Sequence, residues 1–120
     1  MWTYNSSNGS LAHNGALVGT GYSGINEGLN NPTLQNEHDI GPIPQGYWTV
    51  GDFFDDPGGK GPIVCHLTPA EDTDAFGRGG FMIHGDNSEA DHTASHGCII
   101  LQRAFREQVR DSGDTQLLVV

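Results

Sequence analysis

Apolar residues along this chain come in short bursts, separated by polar and glycine-rich pairs. In the first 25 residues, Trp2 to Tyr4, Leu11 to His13 and Ala16 to Val18 are β-prone runs divided by Asn8-Gly9 and Asn14-Gly15. Asn-Gly pairs tolerate the positive φ of tight hairpin turns, so this stretch predicts a three-stranded meander. Gly24 to Gly41 is polar, rich in Asn and without a period, and reads as a loop with at most one helical turn. Ile43-Pro44-Gln45-Gly46 then leads into a strand at Tyr47 to Val50, closed by the turn Asp55-Asp56-Pro57-Gly58-Gly59. Ile63 to Leu67 predicts a second strand, ending at Thr68-Pro69, and Glu71 to Gly80 an acidic, Gly-rich loop. Phe81 to His84 predicts a third strand that stops at Gly85-Asp86-Asn87. Leu101, Phe105 and Val109 stand four apart, with Arg103, Arg106, Glu107 and Arg110 off that stripe, which predicts a short amphipathic helix stopped by Ser112-Gly113-Asp114. Thr115 to Val120 is nearly all apolar, the pattern of a strand buried inside a sheet.

Composition agrees with that pattern. The 120 residues suffice for one domain spanning 1–120, and 18 Gly with 6 Pro describe short elements joined by turns. The expected fold is mainly β, with one short helix in the C-terminal half. Charge narrows the partners. The formal net charge is -10, and Lys60, Arg78, Arg103, Arg106 and Arg110 are the only positive side chains besides histidine. Such a chain is repelled by phosphate backbones and anionic membrane surfaces, so nucleic acid is excluded as an expected partner. An acidic surface keeps a protein soluble and also suits a basic protein partner. No run approaches the roughly 20 apolar residues of a membrane span, and the start, Met1-Trp2-Thr3-Tyr4-Asn5, lacks the basic and apolar regions of a secretory signal. Two cysteines, Cys65 and Cys98, are too few to read as a disulfide framework.

The chemistry concentrates between Phe81 and Leu101. A histidine, His84, ends an apolar strand. After a polar loop, Cys98 sits in a Ser95-His96-Gly97-Cys98 turn before an apolar run. Cysteine catalysis requires a thiolate, a base that generates it and backbone donors for an oxyanion. Cys98 is the candidate nucleophile and His84 the candidate base, its second ring nitrogen fixed by a nearby backbone carbonyl. Gly97 allows a sharp turn that points the N–H groups of Gly97 and Cys98 into one cleft.

His84-Gly85 followed by Ser95-His96-Gly97-Cys98 resembles the signature of L,D-transpeptidases of the YkuD type, and Ile43-Pro44-Gln45-Gly46-Tyr47 is similar to the segment preceding a central strand in that family. The resemblance implies a compact β-sandwich or barrel and a cofactor-free enzyme acting on peptidoglycan stem tetrapeptides. In that family a cysteine attacks the amide between the L-centre of meso-diaminopimelate and the terminal D-alanine. An amine acceptor then gives cross-linking or D-amino-acid exchange, and water gives L,D-carboxypeptidase activity. The resemblance makes Cys98 the nucleophile, His84 the base, Gly97 and His96 the oxyanion turn, Ser95 its supporting hydroxyl and Gly85 the carbonyl that orients His84. Two features depart from the family. The ten residues between His84 and Ser95 are a short loop for it, and Ile100 stands where Arg or Asn is usual, so a substrate carboxylate is met by Arg103, by Arg78 or by neither. The trimmed length, the opening Trp-x-Tyr hairpin and the absent signal look like small L,D-transpeptidase-like toxins delivered by type VI secretion. Such toxins leave the producer without a signal peptide, act in the periplasm of a target bacterium and are matched by an immunity protein. A household wall-remodelling enzyme, exported to its own periplasm, and a catalytically dead wall-peptide-binding module are the alternatives.

Other chemistries fit less well. His84, Asp86, His92, His96 and Cys98 include zinc-ligating types, but without a paired Cys-x-x-Cys or His-Glu-x-x-His spacing, so no metal is expected. A papain-like amidase places its cysteine before its histidine, the reverse of the order here. Cys65 and His66 are adjacent in a predicted strand and point to opposite faces, which makes Cys65 a core residue. His13 and His38 are expected only to be solvated. Tyr47, Trp48 and Phe81 are expected in the core, one of them a candidate to line the cleft.

Overall fold

The Asn14-Gly15 pair takes up positive φ at both residues, 49° and 87°, which is the backbone of a tight hairpin turn. It joins β2 (Ser10–His13) to β3 (Ala16–Thr20), and β1 (Trp2–Tyr4) pairs antiparallel with β2, so the predicted meander forms. The computed structural model describes residues 1–120. Its remaining strands are β4 (Tyr22–Ser23), β5 (Gly46–Val50), β6 (Phe54–Asp56), β7 (Gly61–Pro69), β8 (Met82–His84), β9 (Ile99–Ile100) and β10 (Gln116–Val119), with one helix, α1 (Arg103–Ser112).

The strands follow the order β3-β2-β1-β10-β5-β7-β8-β9-β4, with β6 on β7. The sheet does not close, so the barrel alternative is set aside; β3 and β4 stand at opposite ends of this order yet are separated in the chain only by Gly21. The sheet therefore curls until its two edges approach. The radius of gyration, 12.7 Å, is close to the ~13 Å expected of a compact chain of this size. β10 runs parallel to β1 and antiparallel to β5, which places the apolar C-terminal run in the middle of the sheet, as its pattern predicts. Trp2, Tyr4, Trp48, Val50, Leu67, Leu117 and Val119 pack there.

The nine-residue β7 turns the corner. Its last residues pair with β5, Cys65 and His66 pair with β8, and its first residues pair with β6. This division sets the strand ends differently from the sequence reading: β5 stops at Val50, and Phe54–Asp56 is a separate strand whose turn through Pro57 to Lys60 returns into β7. Two short strands escape periodicity altogether. β4 and β9 are two residues each, pair with one another and form only because β8 offers β9 a parallel edge. Gly24 to Gly41 holds two 3-10 turns, Asn26–Gly28 and Pro32–Leu34, rather than one.

The helix begins two residues later than the spacing suggests because the Leu101 N–H donates to the His84 carbonyl, which keeps the chain extended beyond β9. Phe105 lies against Gly19, where any side chain would meet its ring, and Val109 is buried. Arg106, expected on the polar side, is 7% exposed and faces the sheet. Tyr47, expected in the core, is an exposed residue of β5, whereas Trp48 and Phe81 are buried and meet edge to face at 4.9 Å. His13 is not merely solvated: its ring stacks on Trp2 at 4.1 Å and bonds Asp114 Oδ2 at 2.9 Å.

Candidate active site

Strand pairing brings the two chemical residues together. β8 and β9 are parallel, with Ile83 beside Ile99 and His84 beside Ile100. Continuing that register by one residue sets Cys98 beside Met82. Residues two apart in a strand share a face, so Cys98 lies on the same face as His84. Both side chains line an open cleft of about 260 Å3.

His84 is 3% exposed, and its Nδ1 lies 2.8 Å from the Gly85 carbonyl oxygen. A carbonyl only accepts, so Nδ1 carries the proton and Nε2 the lone pair. Nε2 is buried and has no hydrogen-bond partner within the protein. Burial is the main influence on this ring and holds its pKa below the ordinary 6.5, against the Gly85 hydrogen bond. The imidazole is therefore neutral at pH 7, with a free basic nitrogen.

Cys98 is half-buried. Its thiol is pushed above the ordinary 9.0 by burial, opposed by the Met82 N–H aimed at the sulfur and then by Lys60 and Arg78. The Sγ faces the Gly80 carbonyl at 3.7 Å, so the two groups rest as a thiol and a neutral imidazole lining one cleft rather than as a preformed ion pair.

Ser95 organises the turn. Fully buried, its hydroxyl donates to the Cys98 carbonyl at 2.6 Å and accepts from the N–H groups of Gly24 at 2.9 Å and Gly97 at 3.1 Å. The Gly97 N–H, expected to face the cleft as an oxyanion donor, is thereby engaged with Ser95. The Cys98 N–H makes no hydrogen bond within the chain and stays available. Gly97 has a conformational part instead: its φ is 137°, and a Cβ there would lie 2.5 Å from Arg78 Nη2 and 3.0 Å from Phe81 Cε1. His96 is exposed on the cleft rim, with Nδ1 3.1 Å from the Asp39 carbonyl.

Of the two arginines considered for a substrate carboxylate, neither is free in the cleft. Arg103 does not line it; on the exposed side of α1 it pairs with Glu107 at 3.4 Å. Arg78 does line it, but Nη1 donates to the carbonyls of Gln35 and Pro42, and Nη2 to those of Gly41 and His96. It ties the loop before β5 to the cysteine turn, with its guanidinium carbon 5.1 Å from the Phe81 ring centre.

Three contributors carry too little local signal to be found from sequence. Ser23 Oγ donates to the Gly97 carbonyl at 3.1 Å and accepts from the Ile43 N–H at 2.9 Å, linking segments far apart in the chain. Tyr22 holds the short loop after β8 at both ends, donating to Asp86 Oδ1 at 2.7 Å and accepting from the Ala94 N–H at 3.2 Å. His38, expected only to be solvated, lines the cleft with Nε2 3.0 Å from the Phe76 carbonyl. A fourth contributor, Lys60, had a signal: it is the chain's single lysine, it sits in a Gly-Gly-Lys-Gly turn, and it lines the cleft. Cys65 is fully buried in the core with its thiol pushed up to about 12 by burial, and takes no part in the cleft. The His, Cys, Asp and Glu side chains form no group of three or more arranged to hold a metal ion, and no helix is long and apolar enough to cross a membrane.

Comparison with curated proteins returns no match. The family model described as the Tlde1 domain matches residues 18–120, which takes in every cleft residue above and all of the sheet except β1, β2 and the first residues of β3. With most of its length matched, the chain belongs to the Tlde1 domain family, a family associated with type VI secretion effectors.

Proposed function

We propose that this chain is a cysteine acyl-transfer enzyme that acts on peptidoglycan stem tetrapeptides, as an antibacterial effector working in the periplasm of a target cell. The observation that carries the reading is the buried, unpartnered Nε2 of His84 in the same cleft as the Cys98 thiol, with its tautomer set by the Gly85 carbonyl. Likeness to the L,D-transpeptidase signature at His84-Gly85 and Ser95-His96-Gly97-Cys98 supplies the substrate class.

In this mechanism Cys98 passes its proton to Nε2 as the sulfur attacks the carbonyl of the stem amide. The tetrahedral oxyanion is met by the Cys98 N–H. Collapse breaks the C–N bond, and the imidazolium returns its proton to the departing D-amino acid. The thioester is then resolved by water, giving L,D-carboxypeptidase activity, or by an amine, giving transpeptidation or D-amino-acid exchange. Because thiol and imidazole both rest neutral, the proton moves when substrate arrives. Delivery as an effector is supported by the family and implies a secretion apparatus and a cognate immunity protein.

The test is a mass-spectrometric digest of tetrapeptide muropeptides with wild type and Cys98→Ala, checked for folding by circular dichroism. Release of D-alanine or its exchange is expected for wild type, with a loss of several orders of magnitude in a folded alanine variant. Undiminished turnover by Cys98→Ala removes the cysteine from the mechanism. Binding of stems without turnover by wild type makes the protein a wall-peptide-binding module instead.

A further inference from the structure

The chain's positive side chains can be accounted for one by one. Arg103 pairs with Glu107, and Arg110 with Asp111 at 2.8 Å, both on the outer side of α1. Arg106 is buried against backbone carbonyls of Pro62 and Ile63, and Arg78 spends its Nη donors on four carbonyls. Lys60 remains. It is exposed, its ammonium forms no ion pair, and it stands at the cleft that holds Cys98 and His84. The nearby Asp56 carboxylate is turned into its own loop, accepting the N–H groups of Gly58 at 2.9 Å and Lys60 at 3.1 Å.

We infer that Lys60 is the docking group for a substrate carboxylate, specifically the α-carboxylate of the D-amino acid on the far side of the scissile amide. This rests on the acyl-transfer reading above and adds its specificity. A molecule with 15 acidic and 5 basic side chains repels anions at long range, so an anionic peptide end needs a local cation to settle at the sulfur. An ammonium on a flexible stem acts as a point charge and suits a terminal carboxylate that must also leave. The same subsite serves both halves of an exchange, because the departing and incoming D-amino acids carry the same carboxylate. Amidated or internal peptide bonds lack it and are discriminated against.

The geometry around Lys60 is held in place. Ile63, three residues on, has a φ of 56°, a strained setting for a β-branched residue. Asp55 Oδ1 accepts its N–H at 3.1 Å, and Arg106 donates to its carbonyl and to that of Pro62. The start of β7 is thus fixed from two sides, and the solvent-exposed Lys60 just before it lines the cleft.

The test uses Cys98 itself as the reporter, so it does not depend on turnover. The rate constants for alkylation by iodoacetate and by iodoacetamide are measured for wild type, Lys60→Gln and Lys60→Arg, with Cys98→Ala to subtract any other thiol. Each pair is expressed as a ratio and normalised to that of a free thiol. The expected result is a ratio favouring the anionic reagent in wild type, lowered about fivefold by Lys60→Gln, the scale of an exposed charge pair. Lys60→Arg should retain it, and raised salt should abolish it. N-acetyl-D-alanine should protect wild-type Cys98 from iodoacetamide at concentrations that leave Lys60→Gln unprotected. A ratio equal in wild type and Lys60→Gln overturns the inference while leaving the acyl-transfer reading intact. A Cys98 inert to both reagents even above pH 9, where thiolate forms, overturns that reading first, and the inference with it.

Discussion

Cys98 and His84 are both held away from the charged state by burial, and this has a kinetic consequence that separates them from a preformed thiolate–imidazolium pair. The His84 pKa is lowered, so its neutral, basic form persists as pH falls below the ordinary 6.5, and it is lost only on protonation below that value. The Cys98 pKa is raised, so thiolate accumulates only above the ordinary 9.0. The expected outcome is an acidic limb of kcat/KM lying below pH 6.5, together with iodoacetamide alkylation of Cys98 that still rises through pH 9. A plateau of alkylation already reached near pH 6 points to a resting ion pair and defeats the neutral-pair mechanism. Local sequence singled out these two residues as candidates, because a histidine closing an apolar strand and a cysteine after Ser-His-Gly are local patterns. It did not carry the fate of the Gly97 N–H, since that depends on where the Ser95 hydroxyl turns.

At the scale of elements, α1 is joined to the cleft through one side chain. Arg106 crosses from the helix to the carbonyls of Pro62 at 2.6 Å and Ile63 at 3.3 Å, and its guanidinium lies against Gly85, whose carbonyl holds His84. Replacing it by Met keeps an unbranched apolar stem, removes the guanidinium and leaves those two carbonyls without their donor. Leaving buried polar groups unpaired costs about 1–3 kcal/mol, so the urea midpoint of Arg106→Met should fall correspondingly and that of Arg106→Lys less. Equal midpoints for Met and wild type contradict this role. The spacing of Leu101, Phe105 and Val109 announced the helix correctly. Arg106 was misjudged because charge at a helical position predicts solvent exposure unless carbonyls are waiting beneath it, and those belong to a strand more than 40 residues earlier.

For the whole molecule, the family assignment bears on where the proposed activity would be exerted. Peptidoglycan lies outside the inner membrane, so an enzyme acting on it is inert in the cytoplasm. Fusion to an export signal should make the protein toxic to a Gram-negative host, while the cytoplasmic form and exported Cys98→Ala should leave colony counts unchanged. Equal toxicity from the cytoplasmic form indicates another target, and toxicity of the alanine variant indicates a mechanism without the cysteine.

What the chain determined by itself follows from interactions of short range: the Asn-Gly hairpin, the helix stripe, the buried character of the last strand, the mainly β class and the His84 and Cys98 motifs. Each is encoded by neighbours in sequence, where turn chemistry, side-chain period and residue type act without outside help. The two-residue strands β4 and β9, the division of β7 among three partners, the bonding of Ser23 and Tyr22 to segments distant in the chain and the choice of Lys60 over Arg78 and Arg103 as the free cation were decided only on folding. A backbone amide or a guanidinium pairs with whichever acceptor the tertiary fold brings within about 3 Å, and those acceptors come from parts of the chain that local pattern does not connect.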